Sequence, residues 1–485
     1  MELPQDFIKQ MEQELGTQYP AFLAAYEQPA WRGLRFNGQK GVGKEERADA
    51  ALPGEPIPWC PRGRCLSEEE AGRWSPGKHP MHFAGAYYIQ EPSAMLPAEL
   101  LDVRPGERVL DLCAAPGGKS TQLIDAMGDS GLLVSNDISA SRGRAIVKNL
   151  ERFGVRRFLV TAEEPKRLAE AFPAFFDKIL VDAPCSGEGM FRREPSMCRQ
   201  WQEKGPAFYQ PLQREILAQA GRLLRPGGRL VYSTCTFNRQ EDEENAAWLE
   251  QTHPGLRLLK EEKLWPHRCR GEGQYAALFE REAGGDGLPD AMRSAGAVPG
   301  EEAGGANPGG MRLKDAVRSR RGLGAGAARL GSADRLVSGA SLSREQEQTM
   351  RYFFDMTENC AWQTENWYEQ KGQLYELPMP IDGLKHLRFL RTGLLLGELK
   401  KNRFEPSQAL AMALKKEQFA NTVDFAPADG RVIRYLKGET IETSGAENRG
   451  GAGWCLVLCG GLPLGWAKRA GDSLKNYYAP GWRLQ

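Results

Sequence analysis

RVLDLCAAPGGKSTQL, residues 108–123, joins a short apolar run to a Pro-Gly-Gly turn and then to a helix-forming segment. A run that short, continuous in Val and Leu, is the pattern of a strand buried on both faces. A glycine turn at its end brings backbone N–H groups and a helix N-terminus close to a ligand. The turn is not the dinucleotide motif G-x-G-x-x-G, and it is not a P-loop, because Cys113 stands where the first glycine of G-x-x-x-x-G-K-S would be. Outward from it the alternation continues: LLVSND (132–137), RFLVTA (157–162), KILVDAP (178–184) and GRLVYSTC (228–235) are separated by helical patterns such as SRGRAIVKNLERFG and PLQREILAQAGRLL. Strands alternating with helices predict βαβ units and an α/β, doubly wound, Rossmann-like sheet with its ligands beyond the carboxyl ends of the strands.

Chemistry-bearing residues stand at those ends. Asp137 closes the second run, where an acid grips ribose hydroxyls. A ribose site, a tight turn and no phosphate signature together favour S-adenosylmethionine over NAD or ATP. The expected cofactor residues are Cys113, Ala114, Ala115, Pro116, Gly117, Gly118, Lys119, Asp137 and Asp182, with Glu164 for the adenine. Glu163 and Glu164 both follow the third run, and acids there also serve simply to cap the next helix. The fourth run ends DAPCSGEGMFRR, with Asp182, Cys185, Arg192 and Arg193 in one loop, and the fifth ends YSTCTFNRQEDEEN, with Cys235 at the strand terminus. Buried cysteines usually act as small hydrophobes, but two at ligand-bearing strand ends are expected to share the cofactor crevice. Carbon 5 of cytosine becomes nucleophilic only after a thiolate adds at carbon 6, and the adduct must later be released, so this chemistry has work for two thiols. Asp182 is placed to hydrogen-bond the N3 and N4 edge of such a ring.

CAAPGGKS, DAPCSGEG and STCTFNRQEDEEN resemble the cofactor, Pro-Cys and Thr-Cys motifs of the RNA cytosine-5 methyltransferases of the RsmB/NOP family. The resemblance implies a class I S-adenosylmethionine-dependent methyltransferase, with Cys235 as nucleophile, Cys185 as the residue that helps release the product and Asp182 beside them. LPQDFIKQMEQELG, RGLRFN, GAYYIQEPSAM, LWPHRCRGEGQYAALFER, LGELKKNRFEPSQALAMAL and LPLGWAKRAGDSLKNYYAPGWRL resemble further regions of the RsmF (YebU) type within that family, the last being PUA-like. Gln274 and Tyr275 stand where the family commonly has His and Phe. This implies 16S rRNA of the small ribosomal subunit as substrate. The same reaction on tRNA, and a catalytically silent ribosome-assembly RNA-binding protein, are the alternatives.

The chain has 485 residues, enough for about three domains. Its 64 Lys and Arg balance 63 Asp and Glu. Taken whole, this speaks against a nucleic-acid binder, but net charge says nothing about patches. The ten cysteines form no disulfide framework, and neither Cys60 with Cys65 nor Cys455 with Cys459 has a zinc-ligand spacing, so no metal is expected. No apolar run is long enough for a membrane span and the N-terminus lacks the pattern of a signal peptide. A cytoplasmic protein, expected to be a monomer, follows. Residues 280–351 contain no Phe, Trp or Tyr and are crowded with Gly, Ala, Ser and Pro, the composition of a flexible linker. The expected division is 1–80, an α+β RNA-guiding region; 81–280, catalytic; 281–345, linker, with a basic run at 318–321; 346–415, a first C-terminal domain; and 416–485, a PUA-like α+β RNA-binding domain. RNA contact is expected from 385–403, with six Lys or Arg against one Glu around Phe389, and from 466–483, where Lys468, Arg469, Lys475 and Arg483 alternate with Tyr477, Tyr478 and Trp482. On residues alone these also suit the core and surface of a small β domain. Arg192, Arg193 and the N-terminal region are expected to hold the strand flanking the target, which must leave its stack to reach a thiol.

Overall fold

The computed structural model describes residues 3–42, 53–284, 343–401 and 403–484, so nearly all of the linker at 281–345, with its 318–321 run, lies outside the described residues. Near the N-terminus, β1 (Arg32–Phe36), β2 (Glu55–Ile57), β3 (Cys60–Leu66) and β4 (Tyr87–Gln90) form an antiparallel sheet in the order β2-β3-β1-β4. Tyr87–Gln90 thus belongs with the N-terminal unit, not with the catalytic part as a division at 80 would have it, because its backbone pairs with β1, Gly33 opposite Gln90 and Phe36 opposite Tyr87.

The central sheet is built from β5 (Arg108–Asp111), β6 (Leu132–Asn136), β7 (Phe158–Thr161), β8 (Phe176–Asp182), β9 (Leu224–Thr234), β10 (Leu256–Leu264) and β11 (Gln274–Arg281). β7, β6, β5, β8 and β9 run parallel in that order, and β11 and β10 follow antiparallel beyond β9. The strand order reverses at β5 and β8, which opens a crevice at their carboxyl ends. Alternate residues feed opposite faces: Leu110, Val134, Leu159, Ile179 and Leu230 pack into one core cluster, Val109, Leu133, Phe158, Leu180 and Val231 into the other. Each such fully buried side chain contributes about 1.5–3 kcal/mol. The helix Ala140–Phe153 covers one face, capped by the Ser139 side chain at its start and by Gly154, at φ 82°, at its end.

Beyond the linker, β12 (Trp367–Gln370), β13 (Gln373–Glu376), β15 (Leu394–Lys400) and β16 (Arg403–Pro406) form a small sheet, while β14 (Phe389–Arg391) leaves it to pair antiparallel with β7, Phe389 opposite Thr161. This takes Phe389 and Arg391 out of the RNA-facing reading of 385–403, while Lys385, Arg388, Lys401 and Arg403 stay exposed. Phe389 packs against the main core, Arg391 pairs with Glu151 at 2.7 Å in a largely buried contact, and Lys400 and Arg403 pair with Glu405. The stretch Phe389–Arg391 is a seam between domains. The last sheet, β18 (Ile441–Glu442), β22 (Ser473–Asn476), β21 (Leu462–Ala470), β20 (Gly453–Cys459), β17 (Thr422–Phe425) and β19 (Glu447–Arg449) in spatial order, buries Trp466 and Tyr478 in its cores. Trp482 lies against Lys148 and Arg152 of the central domain. Tyr477, also expected on RNA, lies beside Lys468 and Lys475.

Candidate active site

Two features fix the turn after β5. Gly117 adopts φ 105°, and a Cβ there would meet Ile146 Cα at 3.2 Å, so the helix Gly118–Met127 begins on a residue that must be glycine. Ala114 N donates to Asn136 O at 2.7 Å, tying the turn to the next strand. Asp137 is buried beyond β6; one of its oxygens accepts from Ser139 N at 2.9 Å and the other meets the exposed Arg142 guanidinium at 3.3 Å. Next to it Ile138 is 64% exposed, a bare aliphatic face that sequence reasoning passed over. Asp111, fully buried, accepts from Ser120 Oγ at 2.7 Å through Oδ2, while Oδ1 has no partner among the described residues. Burial pushes its carboxyl up to about 7. Burial, and then the charges of Asp111, Asp182 and Asp137, push the Cys113 thiol far up, so Cys113 lines the turn as a neutral group.

These residues fit S-adenosylmethionine. The orphaned Asp111 oxygen and the acid at Asp137 suit a ligand with a cationic group and a ribose. Lys119 and Asp182, both expected among the cofactor residues, meet each other: Lys119 Nζ reaches Asp182 Oδ2 at 2.7 Å. Asp182 also accepts from Ser233 Oγ at 2.8 Å and Gln274 Nε2 at 3.3 Å, both through Oδ1. Glu164 is exposed at the start of the helix Pro165–Ala171 and makes no capping hydrogen bond there. Glu163 is engaged elsewhere, accepting from Arg388 N and pairing with Arg167 at 3.0 Å.

Cys185 and Cys235, 50 residues apart in sequence, bring their Sγ atoms to 3.4 Å. Their loops are braced: Gly189 N donates to Cys235 O at 2.9 Å, Ser186 Oγ shares a hydrogen bond with Thr236 Oγ1 at 2.8 Å, and Glu241 Oε2 accepts from Ser186 N at 3.0 Å and Gln213 Nε2 at 2.8 Å. The hydrogen bond with Cys235, and then burial, hold the Cys185 thiol well above the ordinary cysteine range, so it is protonated at neutral pH. Phe191, Phe237 and Trp265 beneath these loops pack against Phe7, Met11 and Phe22 of the first two helices. Arg192 is not free for RNA. Its Nε pairs with Glu272 at 2.7 Å, nearly without exposure, and its Nη1 donates to Ala25 O at 2.6 Å, so it locks the N-terminal helices down; Arg193 is exposed. Among the described residues no group of three or more His, Cys, Asp or Glu is placed to hold a metal, and no helix is long and apolar enough to cross a membrane.

Family models describe the chain in four parts: the N-terminal domain of 16S rRNA methyltransferase RsmF over residues 3–92, 16S rRNA methyltransferase RsmB/F over 98–288, the RsmF first C-terminal domain over 352–414 and the RsmF PUA domain over 422–484. Ribosomal RNA small subunit methyltransferase F of Escherichia fergusonii is 30% identical over 488 residues, covering 98% of this chain and 95% of its own. The protein of the same name from an Enterobacter species is 29% identical over 502 residues, with the same coverage. Among solved structures, a methyltransferase homologue from Pyrococcus horikoshii is 29% identical, with a TM-score of 0.50, over 57% of this chain and 95% of its own.

Proposed function

Because the chain belongs to the RsmB/F family of 16S rRNA methyltransferases, we propose that its two apposed thiols divide one reaction between them, Cys235 attacking the base and Cys185 releasing the product. The enzyme is an S-adenosylmethionine-dependent rRNA methyltransferase that modifies carbon 5 of cytosine. The observation that carries the division of labour is the 3.4 Å sulfur–sulfur contact beside the Lys119–Asp182 pair.

The backbone of residues 113–118 with Asp137, Asp111 and Glu164 would hold the cofactor, and Ile138 offers its adenine an apolar face. The bound cofactor supplies a methyl carbon on a sulfonium, open to attack by an electron-rich carbon. A carboxylate has about four acceptor positions, and Asp182 uses three, on Lys119, Ser233 and Gln274. The remaining one suits the amino group of cytosine, which would fix the ring. The Cys235 thiolate forms a bond to carbon 6, and the displaced electron pair makes carbon 5 nucleophilic. After methylation the carbon 5 proton leaves to a base, the ring double bond re-forms and the Cys235–carbon 6 bond breaks. The protonated Cys185 thiol donates to the departing sulfur. On this reading the enzyme works as a cytoplasmic monomer, with its N-terminal and PUA units guiding the RNA.

Radiolabelled methyl transfer to 16S rRNA, small subunits and tRNA tests the assignment. The wild type is expected to label cytosine in 16S rRNA. Cys185→Ala is expected to accumulate a denaturant-stable protein–RNA adduct, and Cys235→Ala to form neither product nor adduct. Normal methylation by Cys235→Ala would show that the nucleophile lies elsewhere.

A further inference from the structure

The helix Pro206–Leu223 presents one face to the catalytic loops and another to solvent. On the inner face, Gln213 Nε2 donates to Pro184 O at 2.9 Å and to Glu241 Oε2 at 2.8 Å, and Glu241 takes Ser186 N, so both neighbours of Cys185 are braced through this helix. Tyr209 lies one turn earlier on the same face. Burial, and then the charges of Cys185, Glu241 and Cys235, push its hydroxyl up, as befits a ring at the edge of the crevice.

The neighbouring face is unusual. Phe208, 50% exposed, and Leu212, 37% exposed, are two of only six large hydrophobic side chains left in solvent among the described residues. Four positions apart, they form one apolar stripe. Lys204 Nζ lies 4.9 Å from the centre of the Phe208 ring, and the Tyr209 ring meets Phe208 edge-on at 5.2 Å. Lys204 is itself exposed, so its ammonium is free to meet a ligand's phosphate beside the ring. Two side chains with one cation beside them are far too small for a stable protein interface, which buries about 1,200 Å² or more. They are the right size for one nucleobase, which needs a single aromatic face and a nearby cation for its phosphate.

We propose that Phe208, with Leu212 and Lys204, is a stacking subsite for a base flanking the target cytosine. It rests on the reading that these thiols act on cytosine in RNA. The physical reason is direct: when the target leaves the stack to reach Cys235, its neighbour loses a stacking partner, and the Phe208 ring replaces it.

The test compares wild type, Phe208→Ala and Phe208→Trp in filter binding to protein-free 16S rRNA and to small subunits, alongside methyl transfer to each. Phe208→Ala is expected to bind protein-free rRNA about tenfold more weakly, the loss of one aromatic stack, with an unchanged KM for S-adenosylmethionine and an unchanged melting temperature. Phe208→Trp is expected to bind as tightly as the wild type. Equal binding of protein-free rRNA by Phe208→Ala overturns the subsite. So does a loss confined to assembled subunits, which would mark the stripe as a contact for a ribosomal protein. Failure of the wild type to methylate cytosine in either substrate would sink the functional reading instead, and the binding comparison would still decide the subsite.

Discussion

Lys119 follows the glycine turn proposed to hold the cofactor, and its ammonium pairs with Asp182 on the neighbouring strand. A lysine in that position orders the carboxylate proposed to meet the base, so its removal is expected to act on turnover. Lys119→Met should lower kcat by roughly 100-fold, in the range of a lost electrostatic contact to the reacting group, while the Kd for S-adenosylmethionine in calorimetry changes by less than about twofold, well under the 1.4 kcal/mol that a tenfold change represents. A loss of cofactor affinity with kcat intact would return Lys119 to the cofactor site. The two cysteines were legible in the sequence because each follows closely on the end of a strand of one sheet, and strand ends of a doubly wound sheet converge. The direction of Lys119 was not legible, since Asp182 lies 63 positions away. Nor was the fate of Arg192, whose partner Glu272 comes from a loop 80 positions further on. Side-chain partners at that separation are decided by packing, which periodicity does not encode.

Among elements, the five parallel strands were legible to within a few residues because their apolar runs are continuous and buried on both faces. β14 was not: three residues, FLR, after a long linker carry no period, and their pairing with β7 depends on where the C-terminal unit docks. The basic residues around it looked like an RNA surface because charge is visible in a sequence and burial is not. The pair Arg391–Glu151, with side chains only 15% and 10% exposed, gives this seam a measurable energy. Burial raises the Glu151 carboxyl and Arg391 lowers it. Arg391→Met leaves that carboxylate buried without its partner, a loss of about 3 kcal/mol. A fall in the urea midpoint at unchanged slope is the expected result, and Glu151→Gln combined with Arg391→Met should recover part of it.

Over the whole molecule, three units meet at the end of the helix Ala140–Phe153. The Arg152 side chain reaches His82 Nε2 at 3.2 Å and lies over the Trp482 ring, while Lys40 Nζ donates to Arg152 O at 3.2 Å and to Ala84 O at 2.7 Å. The approach is close. A Cβ on Gly85 would stand 2.1 Å from Arg152 O, and one on Gly154 would stand 2.5 Å from Met412 O. Burial, reinforced by Arg152, lowers His82 from 6.5 to about 4. Between those values the unfolded chain binds the proton and the folded one does not, so stability falls as pH drops from 6.5 toward 4 and is insensitive to this group above 6.5. Melting temperatures from pH 7 to pH 4 are expected to decline more steeply for the wild type than for His82→Gln; parallel curves would show that His82 does not govern the junction.

Arg35 lies in the N-terminal β1 with its guanidinium fully buried against the cofactor helix, donating to Gly118 O at 3.2 Å, Thr121 Oγ1 at 2.6 Å and Gln90 Oε1 at 3.0 Å. The turn proposed to receive the methyl donor is therefore finished by a residue from another unit. Trimming the chain to its methyltransferase sheet would strip the first turn of that helix of its outer support and bare the aromatic cluster under the cysteine loops. The unit that can be excised and transplanted into another enzyme, or expressed alone, is consequently larger than the unit that performs the chemistry. Its minimum begins at the first helix, and an isolated central sheet would be a scaffold without a finished cofactor pocket.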